Sequence, residues 1–497
     1  MKKTLFCLAV AGASLAALAS GVDYSALPWW SAGETREFPR EQKAPNEHGV
    51  LTTLNAAGPT DTRNHAFFKP MGSNGRACIS CHQPADGMSL SVRSIKARWG
   101  ALREKDPLFA AFDGANCPGL PMKDEASHSL LLERGLFRIA RPWPPRTPEG
   151  KPVKPEFTIE VVRDPTGCNT SPVYGLTSAS PQLSVYRRPR PVANLKYITA
   201  VGFSFDPKSG LPLQRDPETG AYVSEALMAD TRVLTLKGQA IDAIKTHLQM
   251  QGDPSPAQLR QILEFESQLS SAQSHDQWGG SLAEGGAEGG PAFIESGSGG
   301  VLQSTSNPIW KEFLPWKAGK AAPSSNPEQQ RFRESVARGA TVFAGRQFLI
   351  KGSAGINSMG FGDPVRNSCA MCHNMHRSGI DIAPGRIDLG TTNEPHAKPS
   401  PELPLFKLTC KPGFKPHPFL GKVVHTQDPG YALSTGRCED IGKVTTQQMR
   451  GLAGRAPYFV NGSAANLREI VDIYDRRYNI EFTEQEKLDL VNLMKVL

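Results

Sequence analysis

Two short motifs of the form Cys-x-x-Cys-His are the strongest chemical signal in this sequence. One runs from Cys78 to His82 and the other from Cys369 to His373. Two thiols at this spacing can each bond to a vinyl group of one haem, and the histidine that follows can then bind the iron. A zinc site or a redox pair is the alternative for a single motif, and the presence of two motifs favours haem.

The two motifs therefore predict two covalently bound haem c groups, one near each end of the chain. The predicted attachment residues are Cys78, Cys81, Cys369 and Cys372, and the predicted iron ligands are His82 and His373. Because haem c is attached outside the cytoplasm, the motifs also predict an exported protein.

The other cysteines fit an oxidising compartment. Of the nine cysteines, Cys7 lies near the start, and four remain outside the motifs: Cys117, Cys168, Cys410 and Cys438. We expect the pairs Cys117–Cys168 and Cys410–Cys438, each of which would close a loop-rich stretch. Three connectivities are possible for four cysteines, and the sequence leaves the other two open.

The first residues resemble a secretory signal. Lys2 and Lys3 precede an apolar run from Leu5 to Ala19, and small residues before Ser20 would suit cleavage. The run is shorter than the ~20 residues that span a bilayer, so we expect a signal peptide at 1–19 and a periplasmic location. An uncleaved anchor is the alternative. No later segment is apolar for long enough to predict a membrane span.

Composition restricts the class of protein. The 497 residues are 39% hydrophobic and 21% charged, which is typical of a folded soluble protein. The formal net charge of +8 is small for this length, so we expect no nucleic-acid partner.

Hydrophobic periodicity predicts a mainly α fold made of two cytochrome c-like haem domains and a small β-containing insertion. Helical spacing is clearest in five segments: 231–250, 255–271, 329–344, 466–474 and 483–496. The run Phe157 to Val162 resembles a short strand, with a hairpin partner expected near Lys196 to Phe203.

These elements suggest a division of the chain into five parts. They are a signal peptide at 1–19, an N-terminal arm at 20–65, a first haem domain at 66–278 with an insertion at 111–224, a Gly-rich linker or loop at 279–325, and a second haem domain at 326–497. The arm lacks clear periodicity, and the glycines of the linker weaken any regular element there.

The segment from Ala456 to Ser463, followed by the helical stretches 467–474 and 488–497, resembles a known family. It is similar to the C-terminal domain of bacterial di-haem cytochrome c peroxidases and their methylamine-utilisation (MauG-type) relatives. The resemblance covers most of 65–110 and 225–497 and is weak over 111–224. It implies a first haem that reacts with peroxide and a second haem that passes electrons.

The family resemblance also implies a second ligand for the C-terminal haem. In the peroxidases a methionine stands 17 residues after the proline of the Pro-Tyr-Phe motif, and MauG-type enzymes have tyrosine there. Counting from Pro457 gives Tyr474, so the match is to the tyrosine branch. An anionic oxygen ligand favours ferric iron and lowers the reduction potential. Other candidate ligands are Met449, Tyr478 and His376.

For the first haem, the resemblance implies a distal pocket that holds Arg232 and Gln239 at the family's spacing. Two positions depart from the pattern. Ala229 replaces the tryptophan that lies between the haems, and Gln249 replaces the glutamate that moves a proton during cleavage of the O–O bond.

Glutamine cannot move a proton, so another group must do so if the chain is a peroxidase. His247 lies on the same predicted helix, and histidine is the side chain most often used to move protons near neutral pH, which makes His247 the preferred acid–base residue or, alternatively, the sixth iron ligand. Glu160 and His128 are weaker substitutes.

The family resemblance also implies calcium between the domains, bound by the backbone carbonyls of Arg455 and Pro457.

Three functions are compatible with these features. The favoured one is a periplasmic peroxidase that takes hydrogen peroxide at the first haem and electrons from a small cytochrome or an oxidisable protein. The second is an electron-transfer cytochrome without catalysis. The third is an oxygenase that resembles the di-haem rubber oxygenases, since the family's glutamate and tryptophan are both replaced here.

Overall fold

A computed structural model describes residues 27–497, except 148–149, 203, 205, 217–219, 298, 321–323 and 384. The predicted signal peptide at 1–19 lies outside the described residues. The α-helices are α1 Val92–Leu102, α2 Ser129–Arg134, α3 Leu195–Ile198, α4 Leu236–His247, α5 Pro256–Ser267, α6 Pro291–Glu295, α7 Val301–Ser304, α8 Pro327–Gly345, α9 Ala432–Thr435, α10 Leu467–Tyr478 and α11 Glu484–Lys495.

The strands are β1 Glu37–Phe38, β2 Glu41–Asn46, β3 Gly49–Asn55, β4 Thr60–Asp61, β5 Phe137–Pro142, β6 Phe157–Arg163, β7 Gln182–Arg187, β8 Leu269–Asp276, β9 Gly280–Ser281, β10 Phe348–Ile350, β11 Val365–Asn367, β12 Arg386–Ile387, β13 Leu405–Cys410, β14 Val423–Thr426 and β15 Val444–Thr445. They form one four-stranded sheet, one three-stranded sheet and several two-stranded ribbons.

The prediction of a mainly α fold is wrong. About 29% of the chain is helical and 18% is strand, so helices and sheets share the architecture. The largest sheet has the order β2-β3-β8-β9, and two of its strands come from the segment predicted to be an N-terminal arm. Short polar strands such as Glu41–Asn46 give little periodic signal, because the edge of a sheet tolerates polar residues on both faces.

The strand at 157–163 forms, but its expected hairpin partner was wrong. Residues 195–198 are helical, and β6 instead pairs antiparallel with β13. In that pairing Phe157 lies opposite Cys410 and Ile159 opposite Leu408. The insertion is therefore joined through a sheet to residues more than 240 positions later in the chain.

Three large groups of buried side chains form the interior. The first surrounds the motif at Cys78 and includes α4 and α5. The second surrounds the motif at Cys369 and includes α8, α10 and α11. The third combines the insertion with β13 and β14. Residues 279–325, predicted as a linker or loop, contribute Leu282, Trp310, Phe313 and Trp316 to the second group.

Local sequence signals for the long helices are confirmed. Ser255 caps α5 by accepting a hydrogen bond from the Gln258 amide, and Gln258 bonds back to Ser255. Thr483 and Glu486 make the same reciprocal arrangement at α11. Among the described residues, no helix is long and apolar enough to cross a membrane.

The expected disulfide pairing is also confirmed. Cys117 and Cys168 are bonded with their Cα atoms 5.3 Å apart, and Cys410 and Cys438 with theirs 6.0 Å apart. The four cysteines of the two motifs form no disulfide.

Candidate functional site

Each Cys-x-x-Cys-His motif lines a separate large cavity. The first cavity has about 1390 Å³ of empty space and the second about 1420 Å³, and each is open in part to solvent. Their linings are mainly apolar, which suits a large flat aromatic ligand.

A turn of 3-10 helix presents the thiols of each motif. In the first motif the Cys81 amide donates to the Cys78 carbonyl at 3.2 Å, and in the second the Cys372 amide donates to Cys369 at 3.3 Å. Burial raises the pKa of Cys81 to about 12 and that of Cys369 to about 12. Burial thus disfavours the thiolate form of both side chains.

The histidine of each motif is oriented by its Nδ1 atom. His82 donates from Nδ1 to the Met88 carbonyl at 3.0 Å, and His373 donates to the Gly379 carbonyl at 2.6 Å. This arrangement leaves Nε2 of each ring as the metal-binding nitrogen. Burial, with a smaller contribution from nearby His247, lowers the pKa of His82 to about 4, which keeps the ring neutral.

These residues fit a covalently bound haem in each cavity. The thiols, the oriented imidazole and the apolar lining are the parts that such a group requires. Among the described residues, no cluster of three or more His, Cys, Asp or Glu side chains is arranged to hold a metal ion without a porphyrin.

The predicted distal residues meet in the first cavity. Gln239 and His247 lie two turns apart on one face of α4, with Ala243 between them, and Arg232 lies just before the helix. All of them line the cavity together with His82. Arg232 is also tied to Asp230 at 2.9 Å and to Asp242 at 3.1 Å, so its guanidinium is fixed in place.

A buried carboxylate that the sequence analysis missed holds His247. His247 Nδ1 donates to Asp113 Oδ2 at 2.6 Å, and the other oxygen of Asp113 accepts from Arg76. Burial alone would raise the pKa of Asp113, but the charges of Arg76 and His247 hold it below its usual value. Asp113 is thus an anion that fixes the tautomer and orientation of His247.

The same network connects His247 to the haem motif. Arg76 stands two residues before Cys78, and its guanidinium also approaches the His247 carbonyl at 3.3 Å. Asn74 donates to that carbonyl at 2.8 Å. The end of α4 is therefore anchored to the segment that carries the first pair of thiols.

The weaker distal candidates lie elsewhere. Glu160 is on the exposed face of β6 and pairs with Lys407 at 3.1 Å. His128 is buried, and both of its ring nitrogens bond to backbone carbonyls. Neither lines the first cavity, and neither does Gln249.

Glu266 is a second residue that the sequence analysis missed. It lines the first cavity, is 3% exposed, and its Oε2 atom has no hydrogen-bond partner. Burial raises the pKa of Glu266 to about 8. The sequence carried a signal, because Glu266 continues the buried helical stripe of Leu259 and Ile262.

The second cavity contains three of the four candidate ligands named for the second haem. Tyr474, Tyr478 and Met449 line it with His373, whereas His376 does not. Tyr478 bonds to Ser353 at 2.8 Å, and within the described part of the chain the Tyr474 hydroxyl makes no hydrogen bond. Burial raises the pKa of Tyr474 well above its ordinary value. Because the Tyr474 hydroxyl has no protein partner, it is better placed than the Tyr478 hydroxyl to bind a metal.

The two cavities share a wall. Ala229, Gln447 and Gln448 line both of them. Ala229 occupies the position where the family resemblance implies a tryptophan between the haems, so the structure puts a small side chain there.

At the expected calcium position, the Arg455 carbonyl accepts a hydrogen bond from the Arg188 guanidinium at 2.8 Å. A cationic donor at that oxygen opposes a divalent cation.

Comparison with known proteins gives a partial relationship. One alignment of 82 residues is 34% identical to the cytochrome-c peroxidase IdrP1 of Denitromonas iodatirespirans, and covers 14% of this chain and 22% of that protein. No protein-family model matches the chain. The chain therefore aligns with about a fifth of that relative's length. This match supports a relationship with cytochrome-c peroxidases, and the tyrosine-ligand branch stays a prediction.

Proposed function

We propose that this chain is an exported di-haem peroxidase that reduces hydrogen peroxide at the first cavity and receives electrons through the second. The observation that carries the proposal is the Asp113–His247 pair, which places an oriented imidazole in the same cavity as His82. The partial similarity to a cytochrome-c peroxidase supports the same chemistry. The two disulfides support a location outside the cytoplasm.

The cofactors proposed are two haem c groups, attached at the motif cysteines and ligated by His82 and His373. Haem supplies iron that binds peroxide in the first cavity and carries electrons between the cavities. Tyr474 is the proposed second ligand in the C-terminal cavity.

His247 is proposed to move the proton that peroxide cleavage requires. Its Nε2 atom would take a proton from one peroxide oxygen and return it to the other, which would leave as water. Asp113 stabilises the imidazolium that forms in between. The Gln239 amide and the fixed Arg232 guanidinium line the same cavity and would orient the peroxide. In total, peroxide accepts two electrons and two protons and yields two waters.

Stopped-flow mixing of the oxidised protein with stoichiometric hydrogen peroxide tests the proposal. We expect rapid loss of the ferric Soret band in the wild type, and on the order of 10²-fold slower loss in His247→Gln. His275→Gln, at an exposed position on β8, is the matched control and should react like the wild type. An unreactive wild-type protein that nevertheless carries both haems would refute the peroxidase function.

A second candidate is a pure electron-transfer cytochrome in which His247 binds the first iron. The hydrogen bond from His247 Nδ1 to Asp113 favours this candidate, because it leaves Nε2 as the nitrogen that can bind iron. His82 and His373 are oriented by Nδ1 hydrogen bonds in the same way. This candidate predicts two six-coordinate haems in the oxidised spectrum and no reaction with peroxide.

A further inference from the structure

Three arginines with no carboxylate within salt-bridge distance lie at the wall between the two cavities, two of them buried and one half-buried. Arg188 and Arg190 line the first cavity, and Arg455 lines the second. Arg188 and Arg455 are 7% and 5% exposed. We call these three residues the arginine cluster.

The hydrogen bonds of the cluster go to neutral oxygens. Arg188 donates to the carbonyls of Gly135 and Arg455. Arg190 donates to the Met228 carbonyl at 3.1 Å and to the Thr446 carbonyl at 2.7 Å. Arg455 donates to the Gln448 carbonyl, and its Nε atom has no partner.

The neighbouring arginines are different, because each already has a carboxylate. Arg187 bonds to Asp428 at 2.6 Å and to Asp230 at 2.7 Å, and Arg232 also uses Asp230. Asp230 therefore already forms ion pairs with arginines outside the cluster.

The cluster is electrostatically unfavourable as the protein alone presents it. Burial lowers the pKa of Arg188, Arg190 and Arg455 to about 10 each, and the charge of Arg455 contributes for the other two. Asp86 and Asp230, which lie beyond salt-bridge distance of Arg188 and Arg190 respectively, offset only part of this effect. A buried charge without a counter-ion costs several kcal/mol, so buried arginines are normally paired. Two buried guanidinium groups and a half-buried one, none with a carboxylate within salt-bridge distance, together imply an anionic ligand at the cavity wall.

We propose that Arg188, Arg190 and Arg455 bind the carboxylates of the haem propionates, and so hold one edge of both haems at the wall shared by the two cavities. The inference rests on the proposed function, because it needs haem in both cavities. A guanidinium binds a carboxylate through two parallel N–H···O bonds, which a carbonyl cannot offer. The unpartnered Arg455 Nε atom on the second cavity is such a donor.

The test uses the full-length holoprotein and measures the midpoint potential of each haem by spectroelectrochemistry. Arg455→Gln should lower the midpoint of the second haem by at least ~59 mV, a tenfold change in the one-electron equilibrium, because a positive charge near the haem disfavours ferric iron. Arg190→Gln should act in the same direction on the first haem. Arg455→Lys keeps the charge and should restore most of the shift.

Arg331→Gln is the matched control. Arg331 lies on α8 with its side chain 69% exposed. Arg331→Gln therefore removes one positive charge at a site away from the cavities and should leave both midpoints unchanged. Haem content, measured on the same samples, separates the two proposals. Protein without bound haem refutes the proposed function, whereas haem-loaded Arg455→Gln and Arg190→Gln with wild-type midpoints refute the arginine cluster alone.

A measurement on protein with all three arginines intact keeps the test valid if the arginine variants do not fold. Besides its cysteines, its histidine and Arg455, the titratable groups that line the second cavity are Tyr458, Tyr474 and Tyr478, and burial raises the pKa of each. Asp381, whose charge acts on Cys372 and whose pKa burial raises, is replaced in Asp381→Asn for this measurement so that it cannot titrate. Propionates paired with arginine stay ionised, so the midpoint of the second haem should be constant from pH 5 to 7. A midpoint that falls with pH over that range would overturn the proposal.

The carboxylate bound by the arginine cluster could also belong to a free anion. One further measurement distinguishes a free anion from the haem propionates. Sodium acetate added at constant ionic strength should leave both wild-type midpoints unchanged, because covalently attached haem already supplies the carboxylates. If acetate shifts the wild-type midpoints but not those of Arg455→Gln, the cluster binds a free carboxylate and the proposal is wrong.

Discussion

Replacing Glu266 with glutamine should remove a specific pH dependence of stability. The carboxyl of Glu266 is buried in the first cavity, has no positive partner, and has a pKa raised from 4.5 to about 8. Between these pH values the unfolded chain releases the proton and the folded protein keeps it. The free energy of unfolding therefore falls as pH rises from about 4.5, and the full penalty is present only above pH 8.

The magnitude follows from the size of the shift. A change from 4.5 to about 8 corresponds to about 5 kcal/mol, at ~1.36 kcal/mol per pH unit. Between pH 5 and pH 8 the expected loss is about 3.5 kcal/mol, because part of the titration lies outside that window. Glu266→Gln keeps the shape of the side chain and cannot ionise, so it should lack this loss.

Guanidinium unfolding of both proteins at pH 5 and pH 8 measures the effect. The stability advantage of Glu266→Gln over the wild type should grow by about 3.5 kcal/mol from pH 5 to pH 8. Glu264→Gln, at an exposed position on the same helix, is the control and should show no such growth. If the difference between Glu266→Gln and the wild type is the same at both pH values, the reasoning about an isolated buried carboxyl is refuted.

Three further predictions follow from the site and the disulfides. Asp113→Asn should slow the reaction with peroxide by roughly tenfold or more in stopped-flow assays, since the imidazolium of His247 loses its counter-charge, and an unchanged rate would exclude this role. Tyr474→Met should raise the midpoint potential of the second haem by spectroelectrochemistry, because thioether sulfur favours ferrous iron; an unaltered potential would show that Tyr474 is no ligand. Replacing Cys410 and Cys438 by serine should lower the unfolding free energy by about 3.6 kcal/mol from their separation of 28 residues, and an unchanged denaturant midpoint would contradict this.

Local patterns in the sequence predicted the long helices and the residues of both motifs. Helix caps such as Ser255 and Thr483 act within one turn, so their neighbours in sequence are also their partners in space. The spacing of Gln239 and His247 likewise places both on one face of α4. Their common cavity therefore follows from helical geometry.

Pairings between distant segments could not be predicted from one sequence. The strand at 157–163 has no local feature that selects β13 over a nearer partner. Asp113 lies 134 positions before His247, in the segment where the family resemblance is weak, so nothing in the sequence linked the two. The error in fold class has the same origin, because short strands take their stability from partners far along the chain.

The buried arginines were missed for a different reason. Arginine is mostly exposed in proteins, so Arg188 and Arg190 resembled ordinary surface residues in a basic, proline-rich stretch. The burial of Arg188, the partial burial of Arg190 and the lack of a carboxylate within salt-bridge distance of either are visible only in three dimensions. Glu266 is the intermediate case, since its place on an apolar helical stripe could have revealed it.

Intact mass spectrometry of the purified, denatured protein tests the central claim most directly. Two covalently attached haem groups predict a mass greater than that of the polypeptide by two haems, and loss of one haem from Cys78→Ala/Cys81→Ala. A mass equal to that of the polypeptide alone, or colour that acid-acetone removes completely, would contradict the account.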